Sequence, residues 1–107
     1  MNLVTGATGH IGNVLVRELV KRGEKVRALV LPGEDLLPIK DLDVEICYGN
    51  VLDRESLHAA FDGVSCVFHL AGIISISSNE DEMVRNVNVE GTRNMVEAAM
   101  QHDVQRF

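Results

Sequence analysis

A chain of 107 residues, 46% of them hydrophobic, is one domain's worth of sequence and can bury roughly two thirds of its unfolded surface in a single core. Its 10 basic and 16 acidic side chains leave a formal charge of −6, a field that repels phosphate backbones and acidic headgroups, so nucleic-acid binding is disfavoured and an anionic ligand must be held by local geometry. No run approaches the ~20 apolar residues of a membrane span, and Met1 leads into a structural segment without a signal core, so no membrane partner and a cytoplasmic location are expected.

Leu3 and Val4 end a short apolar run from Met1 that a glycine-rich turn stops, too short for a helix and read as a buried strand. From Gly9 to Arg22, Ile11, Val14, Leu15 and Leu19 recur at helical spacing and Arg17, Glu18, Lys21 and Arg22 face outward, with Gly23 at the cap position. Lys25 to Leu31 is apolar and β-branched, a second strand that stops at Pro32-Gly33. Pro38 interrupts Leu36, Leu37, Ile39 and Leu42, which leaves a short helical turn between Glu34 and Leu42. Val44 to Tyr48 reads as strand three, and Asp53 as the N-cap of a short helix carrying Leu57, Ala60 and Phe61.

Val64 to Leu70 is a fourth strand closed by Ala71-Gly72, and Ile73 to Ser78 is ambiguous between strand extension and loop. Met83, Val87, Met95, Val96 and Ala99 predict a last helix from about Glu80 to His102, in which Gly91 marks close packing. Short buried strands alternating with helices predict a parallel sheet built by right-handed crossovers. Cys47 and Cys66 sit in apolar stretches without Cys-x-x-Cys spacing or a His pair, so buried free thiols are expected, with no disulfide and no metal site.

Thr5-Gly6-Ala7-Thr8-Gly9-His10-Ile11-Gly12 lies between the first strand and the first helix. There glycines let backbone approach a pyrophosphate, and the helix's first amides and dipole supply hydrogen bonds and partial positive charge. The spacing Thr-Gly-x-x-Gly-x-x-Gly resembles the short-chain dehydrogenase/reductase superfamily. Three further stretches are similar to its extended, epimerase/dehydratase branch, with a dihydroflavonol-reductase-like character: Val67-Phe68-His69-Leu70-Ala71-Gly72, Asn88-Val89-Glu90-Gly91-Thr92-Arg93-Asn94, and Gly49-Asn50-Val51-Leu52-Asp53, where Gly-Asp-x-x-Asp is usual.

The resemblance covers essentially the whole chain and implies an α/β fold of three layers, a Rossmann-type parallel sheet truncated after the fourth strand and fourth helix. Residues 1–107 are then one dinucleotide-binding domain with no substrate domain. The expected ligand is NAD(P). Gly6, Thr8, Gly9 and the amides of His10 and Ile11 would face the pyrophosphate, with Gly12 allowing close packing and the His10 side chain incidental. Asn50, where an Asp usually accepts from the adenine amino group, could accept the same bond through its amide oxygen, with Val51 beside the ring. Leu70, Ala71 and Gly72 would pass close to the ribose and nicotinamide side, and Asn88 would help anchor it. At the end of strand two, Val30 and Leu31 offer neither the acid that binds ribose hydroxyls nor the arginine that holds a 2′-phosphate, a balance that tips slightly to NADP.

The superfamily's Tyr-x-x-x-Lys pair is absent: Tyr48 is the sole tyrosine and Leu52 stands four residues later. Its serine is missing too, so no catalytic residue is assigned. His58 and His102 are read as solvated helix residues, and Ser75, Ser77 and Ser78 as loop. The chain is expected to be the NAD(P)-binding portion of an oxidoreductase or epimerase/dehydratase, catalytically incomplete by itself; a non-catalytic dinucleotide-binding or interaction module is the alternative. Val104 to Phe107 looks like the beginning of a fifth strand. With the rest of that strand missing, strand four has no lysine, proline or inward charge on its edge, and a homodimer or larger assembly through it is expected.

Overall fold

A computed structural model describes residues 1–71 and 84–107. The expectations for Gly72, Ile73 to Ser78 and the start of the last helix at Glu80 lie outside the described residues.

Four strands, β1 (Asn2–Thr5), β2 (Val26–Val30), β3 (Glu45–Tyr48) and β4 (Cys66–His69), form one parallel sheet in the order β3-β2-β1-β4. Because successive side chains point to opposite faces of a strand, the sheet carries two cores. Leu3, Leu29 and Val67 meet Leu57 and Phe61 of helix α2 (Arg54–Ala60, with Phe61 as its cap) and Met95, Ala98 and Ala99 of helix α3 (Thr92–Gln101). On the other face Val4, Ala28 and Val30 meet Val16 of helix α1 (His10–Lys21) and Ile39 of a 3-10 turn (Leu37–Ile39). The result is the three-layer, Rossmann-like α/β sandwich. The segment around Pro38 supplies that single tight turn, as expected, beside the three described α-helices.

Local signals place the helix ends. At the end of α1 the amides of Gly23 and Glu24 donate to Val20 O and Leu19 O, the paired closure of a glycine-capped helix. Asp53 caps α2 by accepting the Glu55 amide at 3.2 Å. The last helix opens differently from its expected regular form: Asn86–Gly91 is a π-helical turn that runs into α3. Two contacts account for the widening. A Cβ on Gly91 would lie 2.6 Å from Val51 Cγ2, so the chain is pressed against the β3 loop. The Thr92 amide donates to Val89 O, and the Asn88 carbonyl takes the Thr92 hydroxyl instead, at 2.7 Å.

Arg27 is the exception in the apolar β2. It is buried, and its guanidinium donates to Ala60 O and Asp62 O, both at 2.7 Å, where α2 ends and its carbonyls lack partners; Glu45 Oε1 lies 3.2 Å from Nε.

Three expectations change. The outer edge of β4 is not bare: Val67 N donates to Arg106 O and Gln105 and Arg106 donate to Ser65 O, so residues 105–106 pair with its first half. Cys47 and Cys66 are free but only partly buried, one on the edge strand and one at the start of β4; burial raises the Cys47 thiol pKa, with Arg27 opposing. His102 is not simply solvated: it is half-buried, its ring stacks on Phe61, and its Nε2 lies 3.3 Å from Nδ1 of His58, which is exposed on α2. Among the described residues no helix is long and apolar enough to cross a membrane.

Replacing Arg27 by Ala strands the buried Ala60 carbonyl and the partly buried Asp62 carbonyl and is expected to cost about 2–4 kcal/mol in denaturant unfolding. Glu45→Gln, at an exposed partner, should cost under about 1 kcal/mol by the same measurement.

Candidate functional site

The carboxyl ends of all four strands open into one cleft of about 410 Å³, lined by Thr5, Gly6, Thr8 and Gly9 after β1, Leu31 and Glu34 after β2, Gly49 to Leu52 after β3, and Leu70 and Ala71 after β4. It lies where the strand order reverses, between β1 and β4, the place at which open parallel sheets leave a crevice. Its volume falls in the ~300–1,000 Å³ range of small-molecule sites.

The loop after β1 is shaped by backbone contact. Gly6 has φ +73°, and a Cβ there would lie 2.7 Å from Leu70 C, so the ends of β1 and β4 touch through main chain. A Cβ on Gly12 would sit 1.9 Å from Gly6 O, which brings the first turn of α1 directly under the loop. Gly9 is the N-cap of α1 and no side chain caps that end; the first intrahelical bond is Asn13 N to Gly9 O, leaving the His10, Ile11 and Gly12 amides without an intrahelical acceptor.

A hydrogen-bond chain links this loop to β4 and α3. Thr5 Oγ1 accepts the amides of Leu70 at 3.1 Å and Ala71 at 3.0 Å, so its single proton goes to His69 Nδ1 at 2.7 Å. A neutral His69 therefore carries its proton on Nε2 and donates to Thr92 Oγ1 at 3.1 Å, while the Thr92 hydroxyl donates to Asn88 O. Burial holds the His69 pKa below the ordinary imidazole value, in keeping with a ring that has no acceptor for a second proton.

The sequence matches the 3-beta hydroxysteroid dehydrogenase/isomerase family over residues 3–107. The chain belongs to this family of extended short-chain dehydrogenases/reductases. It is 43% identical over 104 residues to sterol demethylase protein B of Methylococcus capsulatus, covering 97% of this chain and 32% of that protein. It is 38% identical over 111 residues to a 3 beta-hydroxysteroid dehydrogenase/Delta 5→4-isomerase of Mycobacterium tuberculosis, covering 98% and 30%. Among solved structures, a short-chain dehydrogenase/reductase superfamily protein of Agrobacterium tumefaciens with bound NAD superposes with a TM-score of 0.82 at 36% identity, over 97% of this chain and 30% of that one. The UDP-glucose 4-epimerase of Thermus thermophilus in complex with NAD gives 0.86 at 30% identity, over 96% and 34%. The chain thus spans about a third of the length of these relatives.

Of the residues singled out in the sequence, Gly6, Thr8, Gly9, Leu31, Asn50, Val51, Leu70 and Ala71 line the cleft together. His10 and Ile11 do not; their side chains are exposed, and only their amides stand at the opening of α1. Gly12 lies beneath the loop rather than in the cleft, Asn88 is exposed on the π turn while its neighbour Val87 lines the wall, and Gly72 is outside the described residues. Asn50 Oδ1 accepts the Leu52 amide at 2.9 Å, which folds the β3 loop into a side-chain-mimicked turn and leaves one oxygen lone pair. The Asn94 amide donates to Val51 O at 2.9 Å. Gly91, Thr92 and Asn94 of the last motif thus hold the β3 and β4 loops.

Two participants were missed. Thr5 reads as a strand residue, and only its place beside the first glycine signals more. Glu34 lies four residues beyond the strand end, yet lines the cleft.

The lowered His69 pKa carries a sign: unfolded chain takes up the imidazole proton near its ordinary 6.5, folded chain only at lower pH. Stability contributed by neutral His69 is therefore present above pH ~6.5 and drains away as pH falls below it. Denaturant unfolding of wild type and His69→Gln at about pH 8 and about pH 5 should show the larger acid loss in wild type.

Proposed function

We propose that residues 1–107 are the dinucleotide-binding domain of an NAD(P)-dependent oxidoreductase or epimerase/dehydratase, holding the cofactor chiefly through its adenosine diphosphate half. The observation that carries this reading is the glycine loop between β1 and α1: backbone that passes close to Leu70, followed by helix amides that no side chain caps, at the mouth of the cleft. It is supported by the NAD present in two related structures. The site suits an anion on a chain of charge −6, because amides and a helix dipole attract phosphate without any cationic side chain.

In this reading the His10 and Ile11 amides hold the pyrophosphate above Gly6 and Gly9, Asn50 Oδ1 offers its second lone pair to the adenine amino group, and Val51 packs beside the ring. Leu70, Ala71 and Gly72 border the ribose and nicotinamide side, with Asn88 near its end. The bound cofactor would supply or accept a hydride. Tyr48 is the sole tyrosine and no lysine stands four residues on, so this chain by itself binds and does not transfer protons. A cytoplasmic location belongs to the same proposal, in keeping with two unpaired thiols. On Val30 and Leu31 alone the cofactor choice tips slightly to NADP; Glu34 bears on that balance.

Calorimetric titration with ADP, NADH and NADPH should give dissociation constants of ~10 μM to 1 mM, with no NADPH oxidation on adding carbonyl compounds. Gly9→Val is the informative variant, since a Cβ at Gly9 approaches only Gly6 O, at 3.3 Å, whereas Gly6 and Gly12 are wedged against backbone. It should remove binding and leave the fold; no binding by wild type, or equal binding by the variant, would end this reading.

Self-association is a second proposal. Residues 105–106 cover only the start of β4, and Val96, Met100 and Phe107 are exposed. Light scattering across a concentration series should report a dimer or larger; a monomer at high micromolar concentration refutes it.

A further inference from the structure

Leu31-Pro32-Gly33-Glu34 forms a tight turn directly after β2. The Glu34 amide donates to Leu31 O at 3.1 Å, and Gly33 has φ +82°, the geometry that wants proline at the second position and glycine at the third. The turn reverses the chain, so a residue four positions beyond the strand end returns to it. Its carboxylate is held on both oxygens: Oε2 accepts the Leu31 amide at 2.9 Å and Oε1 accepts the Thr8 hydroxyl at 2.7 Å. One donor sits at the end of β2 and the other in the glycine loop. The fixed carboxylate lies in the cleft wall between them, half-buried.

We propose that Glu34 selects NAD over NADP in this chain. The inference rests on the dinucleotide reading and reverses the slight lean to NADP that Val30 and Leu31 suggest. A carboxylate at the end of the second strand is placed to accept hydrogen bonds from ribose hydroxyls. Each Glu34 oxygen uses one lone pair on a protein donor and keeps another, so two hydroxyls can be served. A 2′-phosphate would instead bring up to about two further negative charges against the carboxylate. The described lining of the cleft contains no lysine, arginine or histidine to offset them. The Thr8 bond also makes the discrimination stiff: the carboxylate cannot swing aside without giving up both donors.

The test is calorimetric titration of the wild-type chain with NAD+ and NADP+, at low and raised salt, beside Glu34→Gln and Glu34→Arg. Thermal melting checks that each variant is folded. Wild type should bind NADP+ at least about tenfold more weakly than NAD+, with the gap narrowing in salt. Glu34→Gln keeps the shape, its amide oxygen able to accept the Leu31 amide and its NH2 to donate to the Thr8 hydroxyl, but loses the charge, and should shrink the gap to under about threefold by gaining NADP+ affinity. Glu34→Arg should invert the order. Equal affinity for the two dinucleotides in folded wild type, or an unchanged ratio in Glu34→Gln, overturns the role of Glu34 and leaves the binding reading standing. Binding of neither dinucleotide by folded wild type overturns both.

Discussion

The Thr5 hydroxyl takes two amides of the β4 loop and gives its only proton to His69, and the geometry of the cleft depends on that arrangement. β1 and β4 are neighbours that are distant in sequence, so their ends have no local reason to stay in register. Three hydrogen bonds on one oxygen supply it. His69 then passes the constraint through Thr92 to the π turn, so the β1 loop, the β4 loop and the start of α3 share one set of donors and acceptors. Partial burial makes the bonds of Thr5 and His69 stronger than on a surface, and leaves any broken one costly.

Around that chain, contact is made by backbone where side chains would not fit. Gly6 lies against the Leu70-Ala71 peptide, Gly12 against Gly6, and Gly91 against Val51. Three layers are thereby drawn to the same end of the sheet. What results is a concavity bordered by uncapped helix amides on a chain whose net charge is acidic. A long-range field from a charge of −6 is screened within about a Debye length, whereas amides at hydrogen-bond range are not, so local geometry prevails.

The motifs near the end of the chain act largely through other residues. In Asn88 to Asn94, Gly91 admits the Val51 side chain, Thr92 fixes the His69 tautomer and Asn94 carries the Val51 carbonyl. Asn88 itself is exposed on the π turn. The same holds after β2, where Val30 and Leu31 at the strand end are apolar and the polar group of the cleft wall arrives from Glu34.

Strand and helix order, the glycine loop, the Asp53 cap and the two-faced core were legible in the amino-acid sequence, because period and capping are local properties of a few consecutive residues. Eight of the residues singled out there share the cleft wall for the same reason: they follow strand ends, and parallel strands bring their carboxyl ends to one side. The tertiary structure alone decided the rest. Arg27 is at home in a buried strand only because α2 ends beside it with free carbonyls; Val104 to Phe107 partly covers the β4 edge; the π turn exists because Gly91 is pressed on Val51; and Glu34 reaches the cleft because a proline-glycine turn sends it back. Each depends on a partner 15 or more residues away or on a reversal of chain direction, and distances of that kind are set by packing rather than by the pattern of neighbouring residues.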